Sequence, residues 1–326
     1  MISIVVCTYN GSNRILPCLE SIVNQEGNPV FELIVVDNAS NDETNSIVTN
    51  YLENYASINW SVIKEIKVGL KYARITGLKS ALFDWVLFCD DDNILYNNFI
   101  SNCTKFLNLD SNLGVLGSYG EPLFNSEKPV WFDKYSSSYA LGSQLRSSED
   151  IGNLNYVYGA CSIYRKQPLL ELLNSGYEPI LGGRIGNTLS SGDDVEWCYL
   201  MQFLGFTVSF EESLKFYHVL NANRLTWDYY LKLKSGITSS AGVLEVYKLY
   251  YERGIRSILS LQLYYFTFSF KSFALYVKHF IISKIAKATS ERQLALVILR
   301  SRMKSYFFHW RNASKYFNQL IQVFHA

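Results

Sequence analysis

The sequence predicts an α/β domain, built on a mostly parallel sheet with helices on both faces and followed by a basic helical extension. Short, nearly continuous apolar runs alternate with amphipathic helical periods through the first quarter of the chain, as strands buried on both sides require. Each early run ends abruptly in a polar cluster. Charge is also divided: from Lys248 onward thirteen Lys and Arg face two acids, Glu252 and Glu291, whereas the preceding 247 residues hold 17 bases and 27 acids. That split pairs an acidic part with a basic tail suited to an anionic surface.

With 326 residues and 48% hydrophobic content, the chain can bury a sizeable core and is not disordered. Its six cysteines (Cys7, Cys18, Cys89, Cys103, Cys161 and Cys198) form no C-x-x-C pair. They read as reduced core thiols of a cytoplasmic protein, not as a disulfide frame or zinc site. The N-terminus enters a strand pattern at once, without the basic and apolar regions of a secretory signal.

Residues 2–6 form a β-branched run that ends at Thr8-Tyr9-Asn10-Gly11, and a helix face follows with Ile15, Leu16, Leu19, Ile22 and Val23. Residues 31–36 form the second run, ending at Asp37-Asn38-Ala39-Ser40, before a helix carrying Ile47, Val48, Tyr51, Leu52 and Tyr55. A third strand is predicted over 58–63 and a helix over 70–82. The fourth strand ends in Asp90-Asp91-Asp92-Asn93. Ligands of such sheets bind beyond the carboxyl ends of the strands, so the clusters at 8–10, 37–40 and 90–92 are expected in one crevice. Three adjacent carboxylates repel one another. A hard cation, Mg²⁺ or Mn²⁺, relieves this and leaves positions for phosphate oxygens. The plainer reading is a polar loop. A dinucleotide fold would need G-x-G-x-x-G after the first strand, where only Gly11 stands, and no Walker-A loop is present.

Residues 114–156 read as loop-rich, with serines at 136–138 and Trp131-Phe132 exposed. Ser190-Ser191-Gly192-Asp193-Asp194-Val195-Glu196-Trp197 opens a helix whose serines and acids suit its N-terminus. A carboxylate on that first turn can also take a proton from an attacking hydroxyl. Phe216-Tyr217-His218 ends a further apolar run, the histidine being either a hydrogen-bonded structural residue or a ligand. In the aromatic segment 255–285, the longest uncharged run is 257–270, short of the ~20 residues a membrane span needs. Contact with a membrane interface and a helical lid or dimer face both fit this segment, and 292–324 repeats its composition. No nucleic-acid-binding motif accompanies the basic residues.

The stretches 3–10, 35–42 and 86–92, in that order and spacing, resemble the nucleotide-sugar-binding half of a family 2 glycosyltransferase of GT-A fold. The resemblance covers roughly residues 1–240 and implies a mixed, mostly parallel sheet. It divides the chain into a catalytic domain, 1–240 (nucleotide-binding half 1–118, acceptor-side half 119–240), and a helical extension, 241–326. It implies that Asp37 and Asn38 read base and ribose, with Thr8 and Tyr9 beside the nucleotide and Arg74 near its diphosphate. Asp90 and Asp92 become the D-x-D pair, with Asp91 on the donor side, Asp92 the direct metal ligand and His218 a third ligand. Residues 156–161 resemble the family's strand whose Gly159-Ala160 backbone passes the donor sugar; a bulge glycine is the other reading. The family's Glu-Asp motif falls on Asp193-Asp194, with Asp in place of the Glu and Asp194 at the base position. Glu196 and Arg224 support the acceptor and the donor phosphates.

The resemblance thus implies an inverting, metal-dependent transferase for cell-surface polysaccharide. A nucleoside-diphosphate sugar would be the donor, and a glycan or lipid-linked hydroxyl the acceptor, at the inner face of the plasma membrane. The Q-x-x-R-W signature of processive synthases is absent, so single additions are expected, and an oligomer is compatible. Two rivals stay open. One is a sugar nucleotidyltransferase, of whose glycine-rich loop Asn10-Gly11-Ser12-Asn13-Arg14 is a poor version. The other is a non-catalytic protein of the same fold.

Overall fold

In the computed structural model, which describes residues 1–144, 154–186, 188–285 and 289–324, the early apolar runs become β1 (Ile2–Thr8), β2 (Phe31–Asp37), β3 (Asn59–Lys64) and β4 (Trp85–Asp90). Successive side chains of a strand point to opposite faces, and in β1, β2 and β4 nearly all are buried. Both faces therefore need helices. Ile2, Ile4 and Val6 pack with α1 (Ile15–Val23), α2 (Thr44–Leu52) and α4 (Phe99–Phe106). Val5, Ile34, Val86 and Phe88 face α3 (Leu70–Ser80), α6 (Lys166–Asn174) and α7 (Asp193–Phe203). A Cβ on Gly77 of α3 would lie 2.3 Å from the Val5 side chain, so glycine sets how closely that helix approaches the sheet.

The sheet is completed by β5 (Asn93–Leu95), β6 (Leu113–Phe124), β7 (Ser162–Arg165) and β8 (Thr207–Leu220). Its order is β3-β2-β1-β4-β7-β6-β8-β5. The pairs β1–β2, β1–β4, β2–β3 and β6–β8 are parallel, and β4–β7, β6–β7 and β5–β8 antiparallel. The sheet is thus mixed and mostly parallel, as expected.

Several local expectations need correction. The stretch read as loop-rich contains the 12-residue β6; the loop tendency of its Gly and Pro is overridden by pairing with β7 and β8. It also holds the short α5 (Phe132–Tyr135), and residues 145–153 of that stretch lie outside the described residues. Phe132 is buried, not exposed, with its ring 5.1 Å from both Phe124 and Tyr139. Residues 156–158 are irregular and 159–161 a bend and turn ahead of β7, not a strand. His218 lies inside β8, not after it.

After β8 the chain is helical: α8 (Trp227–Ser239), α9 (Ala241–Tyr251), α10 (Ile258–Ile285) and α11 (Ser290–Phe324). Val243, Val246 and Tyr247 of α9, Leu261 and Tyr265 of α10, and Phe317 and Leu320 of α11 share a core with Tyr199 and Leu200 of α7. The extension is therefore packed on the sheet domain through the helix that carries Asp194. Among the described residues no helix is long and apolar enough to cross a membrane.

Phe317 is fully buried, its ring 5.8 Å from that of Tyr250. Phe317→Ala should cost about 3–5 kcal/mol, read as a lowered urea midpoint, whereas Leu259→Ala on the exposed face of α10 should change it by less than about 0.5 kcal/mol.

Candidate active site

Strand register decides what the three aspartates meet. Thr8 pairs with Asp37 and Cys7 with Asp90, so β1, β2 and β4 end together. Antiparallel pairing of Asn93 with His218 then brings β8 alongside, and the Asp92 carbonyl accepts the Val219 N–H at 2.9 Å. A cleft of about 380 Å³ opens here, lined by Tyr9, Asn38, Asp90, Asp92, His218 and Arg224 among others.

Each carboxylate meets a different guanidinium. Asp91 accepts from Thr8 Oγ1 at 2.6 Å and Arg14 Nε at 2.8 Å. Arg14 also donates to the carbonyls of Tyr9 and Asn10, fixing a turn in which Asn10 is left-handed at φ +50°. A Cβ on Gly11 would lie 2.2 Å from Thr8 Oγ1, so glycine is needed for this knot to close. Asp92 lies 2.6 Å from Arg224 Nη2 and 3.6 Å from His218 Nε2. Burial alone would raise Asp92, but the Arg224 guanidinium outweighs it and holds the carboxyl far below the usual range. Asp90 lies 3.8 Å from Arg74, with 37% of its side chain open to the cleft. Withdrawal from bulk water and repulsion from Asp92 raise Asp90 despite Arg74.

His218 Nδ1 is 2.8 Å from the Tyr139 carbonyl and Nε2 is 3.0 Å from Arg224 Nη1. A carbonyl only accepts and a guanidinium only donates, so Nδ1 carries the proton and Nε2 the lone pair. Among the described residues no group of three or more His, Cys, Asp and Glu stands ready to hold a metal. The donor types nevertheless suit a hard divalent cation: Asp90 and Asp92 turn carboxylates to one cleft, and the Tyr139 carbonyl orients His218 so that Nε2, which here accepts from Arg224, faces the same side. Arg224 bonds both Asp92 and His218, supplying a counter-charge from the protein itself.

Asp193 and Asp194 begin α7. The serines before them do not cap it: Gly192, at φ +105°, holds the N-cap position, and Ser190 instead donates to the Gly183 carbonyl. Asp194 accepts the Gly159 N–H at 2.8 Å and the Val195 N–H at 2.9 Å. Burial, then the neighbouring Asp193, push its carboxyl up to about 6, against the pull of Arg74 and the two N–H groups. Arg74 is 7% exposed and donates to Asp193 at 2.6 Å while facing Asp90. It thereby ties the end of β4 to the start of α7. A Cβ on Gly159 would lie 2.8 Å from Arg74 Nη2 and 3.0 Å from Asp194 Cβ, so close backbone approach, not a strand bulge, is what this glycine provides. Asp90, Arg74, Gly159, Ala160 and Asp194 all line a second hollow of about 730 Å³, continuous with the helical layer.

The remaining sequence candidates are placed differently. Asp37 is buried, accepts the Ser40 N–H at 3.0 Å and lines neither hollow. Asn38 reaches the cleft, but its amide is committed to the Lys67 carbonyl at 2.7 Å and the Gly69 N–H at 2.7 Å. Glu196 is fully buried away from both hollows, accepting the N–H groups of Ile180 and Leu181 at 2.7 Å each and the Tyr247 hydroxyl. It pins the 180–181 backbone to α7 and α9. Sequence reading missed Arg14 as an anchor and Arg184, which lines both hollows and whose charge lowers Asp90 and Asp92. Arg14 was findable, one helical turn after Asn10. Nothing in the pattern around Arg184 marks it.

The family model described as "Glycosyl transferase family 2" matches residues 3–173. The chain is 29% identical over 123 residues to an uncharacterized glycosyltransferase, YfnE, of Bacillus subtilis, covering 38% of this chain and 31% of that protein. It is 25% identical over 121 residues to poly(ribitol-phosphate) beta-N-acetylglucosaminyltransferase TarP of Staphylococcus aureus, covering 36% of each. These matches span about a third of the length of the curated relatives. Two solved structures share the fold. The mannosyltransferase PcManGT of Pyrobaculum calidifontis, in complex with GDP-Man and Mn²⁺, aligns at TM-score 0.55 and 16% identity over 98% of this chain and 75% of its own. S. aureus TarS 1–349 in complex with UDP-GlcNAc aligns at 0.51 and 17% identity over 95% and 91%.

Arg74→Met leaves Asp90 and Asp193 without their shared cation. It should cost about 3–5 kcal/mol, measured by chemical denaturation near neutral pH; a loss below about 1 kcal/mol would show that the pairing contributes little to stability.

Proposed function

The chain belongs to glycosyl transferase family 2, and from that premise we propose that it moves a sugar from a nucleoside-diphosphate sugar to a hydroxyl of a glycan or lipid-linked acceptor, inverting the anomeric centre, in cell-surface polysaccharide synthesis. One observation carries this reading: Asp90, at the donor-side strand end, and Asp194, on α7, open onto the same hollow with Arg74 between them.

The donor diphosphate would lie in the cleft at Asp90–Asp92, beside Tyr9 and Arg184, with Arg74 and Arg224 offering positive charge to the leaving group. Asp90, Asp92 and His218 would hold Mg²⁺ or Mn²⁺, which when bound neutralises charge on a departing diphosphate. On the opposite side Asp194 would accept the proton of the attacking hydroxyl. Its two backbone N–H bonds fix the orientation of the carboxylate, and a position near 6 leaves it ionised at neutral pH yet basic enough to take that proton. Attack from the Asp194 side, opposite the diphosphate, inverts the centre.

We also place the chain at an anionic membrane surface, on the cytoplasmic side. Helix α10 carries Leu259, Leu263, Phe266, Phe270 and Phe273, all exposed at alternating steps of four and three residues, one stripe along the helix. The helix holds Lys271, Lys278 and Lys284 and no acid, a combination suited to the acyl boundary and to anionic headgroups.

Two results are expected. Because the base must be deprotonated, transfer should fall about tenfold per pH unit below about 6, and Asp194→Asn should lose at least ~10²-fold in kcat with donor affinity retained; near-wild-type kcat would remove Asp194 from the mechanism. Phe270→Asp should lower co-sedimentation with phosphatidylglycerol vesicles, and unchanged sedimentation would overturn the membrane assignment.

A further inference from the structure

The larger hollow runs on from Asp194 to a wall made by the helices that follow β8. Three different helices each contribute one cation to it: Lys234 from α8, Lys248 from α9 and Arg302 from α11. Helical spacing makes each contribution one face of its helix, with Lys234 beside Ile237 and Thr238, Lys248 one turn after Leu244, and Arg302 one turn before Tyr306. None of the three is ion-paired to a carboxylate among the described residues. The one acid on that wall, Glu245, accepts hydrogen bonds from Tyr264 at 2.6 Å and Tyr306 at 3.1 Å. Lys234 is half-buried and donates to Ser138 Oγ at 3.4 Å, and burial lowers its affinity for its proton.

Lys234, withdrawn from water without a counter-ion, gives up solvation, and an anion arriving in the hollow would restore it, with Lys248 and the exposed Arg302 adding charge along the same wall. The three aspartates of the donor cleft do not serve this purpose, since each already meets its own guanidinium. Three cations against Glu245 leave an excess of two positive charges. That excess matches a phosphate ester better than a single carboxylate, and a neutral sugar has no use for it.

Resting on the glycosyltransferase reading, we propose that the acceptor carries a phosphate ester, held by Lys234, Lys248 and Arg302 while the acceptor hydroxyl reaches Asp194. The phosphate belongs either to the glycan itself or to a lipid that carries it; the chemistry recognised is the same.

The test uses the full chain saturated with UDP or GDP, so that the donor cleft is filled, and titrates glycerol 3-phosphate, glycerol and glucuronate by calorimetry. Glycerol 3-phosphate should bind saturably, glycerol should not, and glucuronate should bind at least tenfold more weakly. Lys234→Gln combined with Lys248→Gln should weaken glycerol 3-phosphate at least tenfold, and Arg302→Gln, at an exposed position, several-fold, all with nucleotide affinity retained. In a second arm, phosphatidylcholine vesicles with and without phosphatidic acid are sedimented with the same variants. Loss of phosphatidic-acid-dependent binding in the variants assigns the phosphate to a lipid, and loss confined to glycerol 3-phosphate assigns it to the glycan. Unchanged binding in both arms, or glucuronate equal to glycerol 3-phosphate, overturns the proposal. Failure of the wild-type chain to bind any nucleoside diphosphate would instead overturn the transferase reading beneath it.

Discussion

Arg74 is the constraint on which the site depends. It rises from α3 into a nearly closed position and meets acids from two distant parts of the chain, Asp90 at the end of β4 and Asp193 at the start of α7. A buried carboxylate such as Asp193 and a half-open one such as Asp90 both gain from a cation placed between them. The guanidinium suits that task because its planar fork addresses two partners at once and does not give up its proton. Asp194, next to Asp193, is then set across the hollow from Asp90 instead of on an unrelated surface.

Close backbone approach is the means by which these charges are held. Gly159 lies where a side chain would strike Arg74 and Asp194, and its N–H is one of the two that orient Asp194. Gly11 permits the Thr8–Asp91–Arg14 knot in the same way. Left-handed Asn10, Ala39 and Cys161 follow or precede the strand ends around the cleft, where the chain must turn sharply to present polar groups. Such conformations cost energy at non-glycine residues and persist where surrounding bonds over-determine them. At Asn10 those bonds are visible: its N–H reaches Ser40, its side chain accepts the Asn41 N–H, and its carbonyl takes Arg14.

The helical extension is part of the site's architecture and not an appendage. Tyr247 of α9 bonds the buried Glu196 of α7, and Glu196 in turn holds the 180–181 backbone ahead of Arg184. Gly236 of α8 sits against the Leu189 carbonyl so closely that a Cβ would lie 1.8 Å away. Through these contacts α8 and α9 shape the loop that brings Arg184 to both hollows, and with α11 they supply the far wall of the larger one.

The sequence alone was enough for the alternation of strands and helices, the three polar clusters at the strand ends and the acidic helix start at Asp193-Asp194. Each of these is a local signal: side-chain period and turn chemistry are written within a few residues. It also carried the family resemblance, over roughly residues 1–240. Tertiary structure decided the rest. It turned a loop-rich reading into β6, set His218 inside β8 opposite Asn93, gave each aspartate its own arginine and drew Lys234, Lys248 and Arg302 to one wall. Those pairings join residues up to about 130 positions apart, such as Arg224 with Asp92, and no periodicity within a segment encodes which distant segment it will face. Strand register and helix packing choose those partners, and they do so only when the whole chain has folded.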